Sequence, residues 1–76
     1  MSEVEWMKIF GDNLKEIMDE QGYTQRDLAE ATGLSEASIS NYANARTMPT
    51  VRAIINMSFE LGIPFEDFIN FGDRIE

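Results

Sequence analysis

The chain has 76 residues, of which 43% are hydrophobic, so we expect one small folded domain over residues 1–76 rather than a disordered protein. It contains no cysteine and no histidine. This excludes disulfide scaffolds and thiolate metal sites, and it removes the commonest general base and zinc ligand. We therefore expect no catalytic residues, no metal, no cofactor and no enzyme activity. The formal net charge of −8 is unusual for a nucleic-acid-binding protein, because such proteins gain affinity by neutralising phosphates.

The expected cellular location follows from two sequence signals that are not seen, a signal peptide and a membrane helix. The first residues lack the basic and apolar regions of a signal peptide. No run approaches the roughly 18–20 apolar residues that a membrane helix needs. We therefore expect a cytoplasmic protein.

The first predicted helix begins at Ser2, an N-cap that Glu5 completes as a capping box, and ends at Gly22. Gly11 weakens the prediction of one unbroken helix, since glycine costs ~1 kcal/mol relative to alanine in a helix. Apolar residues recur on one side of this stretch. They are Trp6, Phe10, Leu14, Ile17 and Met18.

Two short helices are predicted next. Thr24 is the N-cap of the first and Gly33 ends it, and Ser35 is the N-cap of the second. The second should run from Glu36 to about Asn44. These short helices are separated by a three-residue turn.

A fourth predicted helix begins at Thr50 and ends at Gly62, and Pro64 suits the first turn of a short fifth helix. The expected core face of the fourth helix is Val51, Ile54, Ile55, Ser58 and Leu61. With no alternating strand pattern, the predicted fold class is all-α with five helices.

The turn Gly33-Leu34-Ser35 is too tight for antiparallel packing, so the helices around it should cross steeply, as in a helix-turn-helix unit at about residues 24–44. Leu28, Leu34 and Ile39 are spaced to fill the joint. The outer edge of the third helix should then project from the domain. It carries Glu36, Ala37, Ser38, Ser40, Asn41 and Asn44.

An ordered set of motifs spans this region: Thr24-Gln25-x-x-Leu28-Ala29, Gly33-Leu34-Ser35, Ile39-Ser40-Asn41-Tyr42, Pro49-Thr50 and Leu61-Gly62-Ile63. The set resembles the Cro and phage-repressor helix-turn-helix family, also called XRE-like, over roughly residues 10 to 70. The resemblance implies a compact five-helix lambda-repressor-like domain with its third helix in the major groove of double-stranded DNA. It also implies a homodimer on a near-palindromic site.

The same resemblance assigns roles to individual residues. The positions that match base-reading residues are Glu36, Ala37, Ser38 and Asn41. The positions that match phosphate-contacting residues are Thr24, Gln25, Ser35, Asn44 and Arg46.

Three departures from the family pattern involve four positions. Met18 and Ala43 stand where the family often has a paired arginine and glutamate, and replacing both charges together leaves no orphaned charge. Ala45 stands where glycine is usual, and a left-handed alanine would cost ~1–2 kcal/mol. Glu36 occupies a position that is commonly glutamine or basic, which weakens the expectation of ordinary DNA affinity.

Each candidate also has a simpler explanation. Gln25 can be a phosphate contact or an ordinary solvated residue. Glu36 can accept from a cytosine amino group, but we favour the reading that it only stabilises the helix dipole. Ser38 and Asn41 can read bases or form a solvated face. Arg26 can pair with a glutamate one turn on.

Aromatic residues near the end of the chain exceed what one short helix should hide. We expect Phe65 and Phe68 to close the core. For Phe59 and Phe71 we favour a homodimer interface that involves the apolar segment 63–76, because exposed aromatic patches usually mark contacts.

Two functions follow from these patterns. The first is a sequence-specific, dimeric transcriptional regulator, a repressor by preference. The alternative is an acidic interaction module on the same scaffold that binds a basic protein partner such as a toxin, for which the charge of −8 is suited.

Overall fold

The computed structural model describes residues 2–64 and 66. In that part of the chain it has four helices and no strand: α1 (Glu3–Gln21), α2 (Gln25–Thr32), α3 (Glu36–Ala43) and α4 (Val51–Leu61). The predicted all-α class is confirmed, whereas the predicted fifth helix, with Phe65 and Phe68, lies outside the described residues. None of these helices is both long enough and apolar enough to cross a bilayer.

Local signals set the helix boundaries as predicted. Each helix begins at a side chain that accepts a hydrogen bond from the backbone N–H three residues on: Ser2, Thr24, Ser35 and Thr50. Three helices end at a glycine with positive φ (78°, 75° and 70°): Gly22, Gly33 and Gly62. Since glycine has no Cβ, it adopts this left-handed conformation with little strain.

The core is one cluster of buried side chains from all four helices, in which α3 packs against α1 and α2, and α2 packs against α4. Its largest fully buried side chains are Phe10, Leu14, Leu28, Ile39 and Met57. Trp6 packs against this core and stacks on Phe10, with ring centroids 5.1 Å apart. Met18 and Ala43 are buried as apolar residues, in agreement with the loss of a charged pair at these positions.

Helix α1 runs through Gly11 without a break, so the concern that this glycine interrupts it was misplaced. Gly11 is buried where α1 meets the end of α3. A Cβ on Gly11 would lie 2.6 Å from the Ala43 carbonyl oxygen and 2.9 Å from that of Tyr42. The glycine therefore serves close backbone packing rather than flexibility.

The predicted core face of α4 was partly wrong. Val51 and Ile55 are exposed, by 65% and 38%, whereas Ala53 and Met57 are fully buried. The buried face is rotated toward the row that runs through Ala53, Ile54, Met57, Ser58 and Leu61. A run of apolar residues at neighbouring positions left the choice between these two faces open.

Two side-chain amides attach α4 to the turns on either side of α2. The Gln21 amide donates to the Leu61 carbonyl (2.9 Å), which joins the ends of α1 and α4. The Asn56 amide donates to the Thr32 carbonyl (3.2 Å) at the end of α2. These bonds join residues 40 and 24 positions apart in the sequence. They attach α4 to the residue before the α1–α2 turn and to the residue before the α2–α3 turn, so α4 helps to hold both turns in place.

A third link gives a pH-dependent prediction. The Tyr23 hydroxyl donates to the Glu60 carboxylate, and this hydrogen bond, helped by burial, raises the pKa of Tyr23 above its ordinary value. The bond's stabilising contribution is therefore complete below about pH 10 and is lost as pH rises through the raised pKa. In a tyrosinate absorbance titration we expect the midpoint that Tyr23→Phe removes to lie above 10, and we expect Glu60→Gln to lower it. A Tyr23 midpoint at or below 10 would contradict the assignment.

Candidate nucleic-acid interface

The third helix is held by its inner side, as predicted. Ile39 is fully buried, Tyr42 and Ala43 are buried, and fully buried Leu28 lies on the neighbouring α2. Leu34, in the turn, is partly buried and packs against the same core. As predicted, the joint between α2 and α3 is thus filled by Leu28, Leu34 and Ile39.

The outer edge of α3 remains accessible. Its exposed members are Glu36, Ala37 and Asn44. Its half-buried members are Ser38, Ser40 and Asn41. None of the predicted base-reading side chains is packed inward. Among the described residues, none buries this polar edge of α3.

At the start of α3, Ser35 is occupied as a cap. Its hydroxyl oxygen accepts from the Ser38 backbone N–H (3.0 Å), and its hydroxyl donates to the Ser38 hydroxyl oxygen (2.9 Å). The N–H groups of Glu36 and Ala37, in the first turn, have no acceptor within the helix and point out of its end. The Glu36 carboxylate suits the helix dipole here and would repel a phosphate.

The start of α2 has the same arrangement. Thr24 accepts from the Asp27 backbone N–H (3.0 Å), and the Asp27 carboxylate accepts from the Thr24 N–H (3.2 Å). The cap therefore uses the polar groups of Thr24. Gln25, which is half-buried, keeps its side chain and a first-turn N–H for an outside acceptor.

The segment after α3 is folded back onto the helix end. Three consecutive backbone N–H groups donate to carbonyls of α3: Asn44 to Ser40 (3.0 Å), Ala45 to Tyr42 (3.3 Å) and Arg46 to Asn41 (2.8 Å). The Asn44 side chain also donates to the Ser40 carbonyl (2.9 Å). Of the two phosphate candidates in this segment, Asn44 is thus largely a cap, whereas the Arg46 side chain is exposed.

Ala45 adopts the left-handed conformation, with a φ of 58°, whose cost for alanine was considered in the sequence analysis. It is the sole non-glycine residue with positive φ in residues 2–64 and 66. We expect Ala45→Gly to stabilise the domain, because relief of ~1–2 kcal/mol of strain exceeds the extra chain entropy of glycine. The net gain should be roughly 0.5–1 kcal/mol, measured by thermal denaturation. Ala31→Gly, at an exposed position within α2, should instead cost ~1 kcal/mol. A loss at both positions would contradict the strain.

Sequence reasoning missed two lysines beside this segment. Lys8 and Lys15 of α1 flank a shallow concavity of about 150 Å³ that Ala43, Asn44 and Ala45 also line. Lys15 forms an exposed ion pair with Asp12 (3.7 Å). No motif marks these positions, since they come next to α3 through the close packing at Gly11.

The dimer-interface candidates fall into two groups. Phe59 is 85% exposed. Together with Ile55 and Ile63 it borders an apolar concavity of about 430 Å³ near the end of α4. Phe71 and most of the segment 63–76 lie outside the described residues. In the part of the chain that is described, no group of three acidic side chains is arranged to hold a metal ion.

Comparison with known proteins identifies the fold's relatives. The helix-turn-helix family model matches residues 14–68. The HTH-type transcriptional regulator SutR of Escherichia coli K12 is 30% identical over 63 residues, which are 83% of this chain and 35% of SutR. The chain thus spans about a third of the length of this curated relative.

Two crystal structures of the clp gene regulator ClgR from Corynebacterium glutamicum share the fold. They match 90% of this chain at 22% identity, with TM-scores of 0.79 and 0.77, and the match covers 72% and 88% of the ClgR chains. These relatives are named as regulators and not as enzymes, in agreement with the expectation from composition. Because the family model spans most of the chain and its motifs stand at the predicted spacings, this protein belongs to the XRE-like helix-turn-helix family.

Proposed function

We propose that this chain binds double-stranded DNA as a transcriptional regulator, with α3 in the major groove. The observation that carries the proposal is the uncovered outer edge of α3 on a helix whose inner side is anchored by fully buried Ile39. The names of the relatives support it, since SutR and ClgR are described as regulators. A DNA-binding role also agrees with the cytoplasmic location expected from the sequence.

Among the base-reading candidates, Asn41 is the best placed. No hydrogen bond to another described residue engages its side-chain amide, and an asparagine amide matches the paired donor and acceptor of adenine. Ser38 shares its hydroxyl with Ser35, so it would contact a base only through its remaining lone pair or proton. Ala37 is exposed and can contact a thymine methyl group. Glu36 can accept from a cytosine amino group.

The phosphate candidates differ in what they offer. Gln25 offers a side-chain amide and a first-turn N–H, and Arg46 offers a guanidinium. Thr24, Ser35 and Asn44 would act mainly by holding helix ends in place, since their side chains are used as caps. With so few cations, we expect about two to four phosphates neutralised per monomer, at ~0.9 log units of salt dependence each.

We further propose a repressor that binds a near-palindromic operator as a homodimer. The exposed Phe59 and the apolar concavity beside it support an interface on α4. Phe71 remains the second candidate for this interface. Sedimentation of the wild type and of Phe59→Ser tests it, and a monomeric wild type at micromolar concentration would contradict the dimer.

Selection from random-sequence DNA at low salt tests the DNA-binding function. We expect enrichment of a near-palindromic motif by the wild type. Asn41→Ala should weaken binding to that motif by ~1–3 kcal/mol and relax the preference at one base position. Gln25→Ala should weaken binding to all sequences. Val4→Ala, an uncharged change at an exposed position on α1, is the control that should bind as the wild type does.

The second candidate function is an acidic module that binds a basic protein partner, such as a toxin. The observation in its favour is the net charge of −8, which suits a basic surface. The selection experiment separates the two, because wild-type protein that retains no DNA at low salt would favour this module and contradict the regulator.

A further inference from the structure

Two lysines of α1 lie at the end of α3, beside the loop that carries the phosphate candidates Asn44 and Arg46. Lys8 and Lys15 are exposed, and they line one concavity with Ala43, Asn44 and Ala45. The packing of α1 onto α3 at Gly11 brings them there. Arg46 follows in the same loop. Two positive side chains of α1 therefore lie beside the end of α3, and the loop that follows α3 carries a third, in a chain that is strongly acidic overall.

The first three residues of this loop cannot bind a phosphate through their backbone N–H groups. The N–H groups of Asn44, Ala45 and Arg46 all donate to carbonyls of α3. An anion that approaches the loop would meet side chains instead. The lysine ammonium groups and the Arg46 guanidinium are the groups with the charge for that contact.

The start of α2 is less favourable for an anion. Arg26 lies there, but Asp27 carries its carboxylate on the Thr24 cap in the same turn. Glu30 is exposed one turn further on. The negative charges offset Arg26, whereas Asp12 is the single acid that lines the concavity with Lys8 and Lys15.

We propose that Lys8 and Lys15 are DNA-backbone contacts, and that the phosphate attraction of this protein is concentrated at the α1 face beside the α3–α4 loop. The inference rests on the proposed DNA-binding function and adds two residues that the helix-turn-helix motif does not include. Asp12 holds Lys15 in an ion pair (3.7 Å) and therefore competes with phosphate for it. Removing the Asp12 charge should release Lys15 for DNA.

The test measures affinity for the selected operator, and for an unrelated duplex of equal length, across a salt series. The slope of log K against log salt is negative. Lys8→Gln and Lys15→Gln should each make it shallower, by about 0.9 per bound monomer. The loss should be equal on both duplexes, because phosphate contacts carry no sequence information. Asp12→Asn should raise affinity by about twofold to fivefold at low salt.

Ala31→Glu is the matched control. It changes the net charge by the same one unit at an exposed position on α2, near Asn56 and Glu60 rather than near the loop. Its salt slope should equal that of the wild type, and thermal melting should show that all variants remain folded. Wild-type binding with an unchanged slope in both lysine variants would overturn this inference alone. Wild-type protein that fails to bind any DNA would overturn the proposed function and the inference together.

Discussion

Gly11→Ala is expected to destabilise the domain by about 2 kcal/mol, although alanine is the better helix former. The added Cβ would lie 2.6 Å from the Ala43 carbonyl oxygen, and a backbone oxygen in a helix cannot move aside cheaply. The clash should exceed the ~1 kcal/mol that alanine gains in helix propensity. Thermal denaturation should show a midpoint lower by roughly 10 °C for a domain of this size.

Glu16→Ala is the control for this substitution, since it lies on the same helix with an exposed side chain. It should leave the midpoint nearly unchanged. Gly11→Ala should also weaken DNA binding more than its loss of stability predicts, because α1 would move away from the end of α3 and take Lys8 and Lys15 with it. A Gly11→Ala protein as stable as the wild type would show that α1 and α3 do not approach this closely.

Ile39→Ala is expected to cost about 2–5 kcal/mol. Ile39 is fully buried between α3 and the core, and its loss removes apolar burial and leaves a cavity that the surrounding helices fill only in part. For 76 residues the total stability is roughly 4–11 kcal/mol, so this one change would consume much of it. Urea denaturation followed by circular dichroism measures the loss.

Val51→Ala is the control, because it also truncates a branched apolar side chain, at a position that is 65% exposed and does not line the concavity beside Phe59. Its cost should stay below about 1 kcal/mol. Equal losses at Val51 and Ile39 would contradict the burial of Ile39 as the source of its stabilising contribution.

The local signals in the sequence predicted the helices well. Ser2, Thr24, Ser35 and Thr50 are residues whose side chains satisfy a helix start, and each one begins a helix here. Such signals act over three or four residues, so they can be recognised without knowledge of the fold. The side of α3 that faces the core was also predicted from short-range spacing, since Ile39 of α3 and Leu28 of α2 both lie within about one and a half helical turns of the connecting turn.

Contacts between distant residues were harder to predict. Gly11 was interpreted as a weakness of α1, because its purpose depends on two carbonyls more than 30 positions away. The position of Lys8 and Lys15 beside the α3–α4 loop depends on that same contact. On α4, Val51 and Ile55 are as apolar as the buried residues, so only the packing against α2 selects the buried face.

The bonds that α4 makes to the two ends of α2 have a consequence for assembly. Asn56 and Glu60, which hold Thr32 and Tyr23, lie immediately around the exposed Phe59 on α4. A neighbour that binds Phe59 would hold α4 in place, and with it the two turns to which α4 is bonded. Association of a protein on α4 and the orientation of α3 would then be thermodynamically linked, so that each makes the other more favourable.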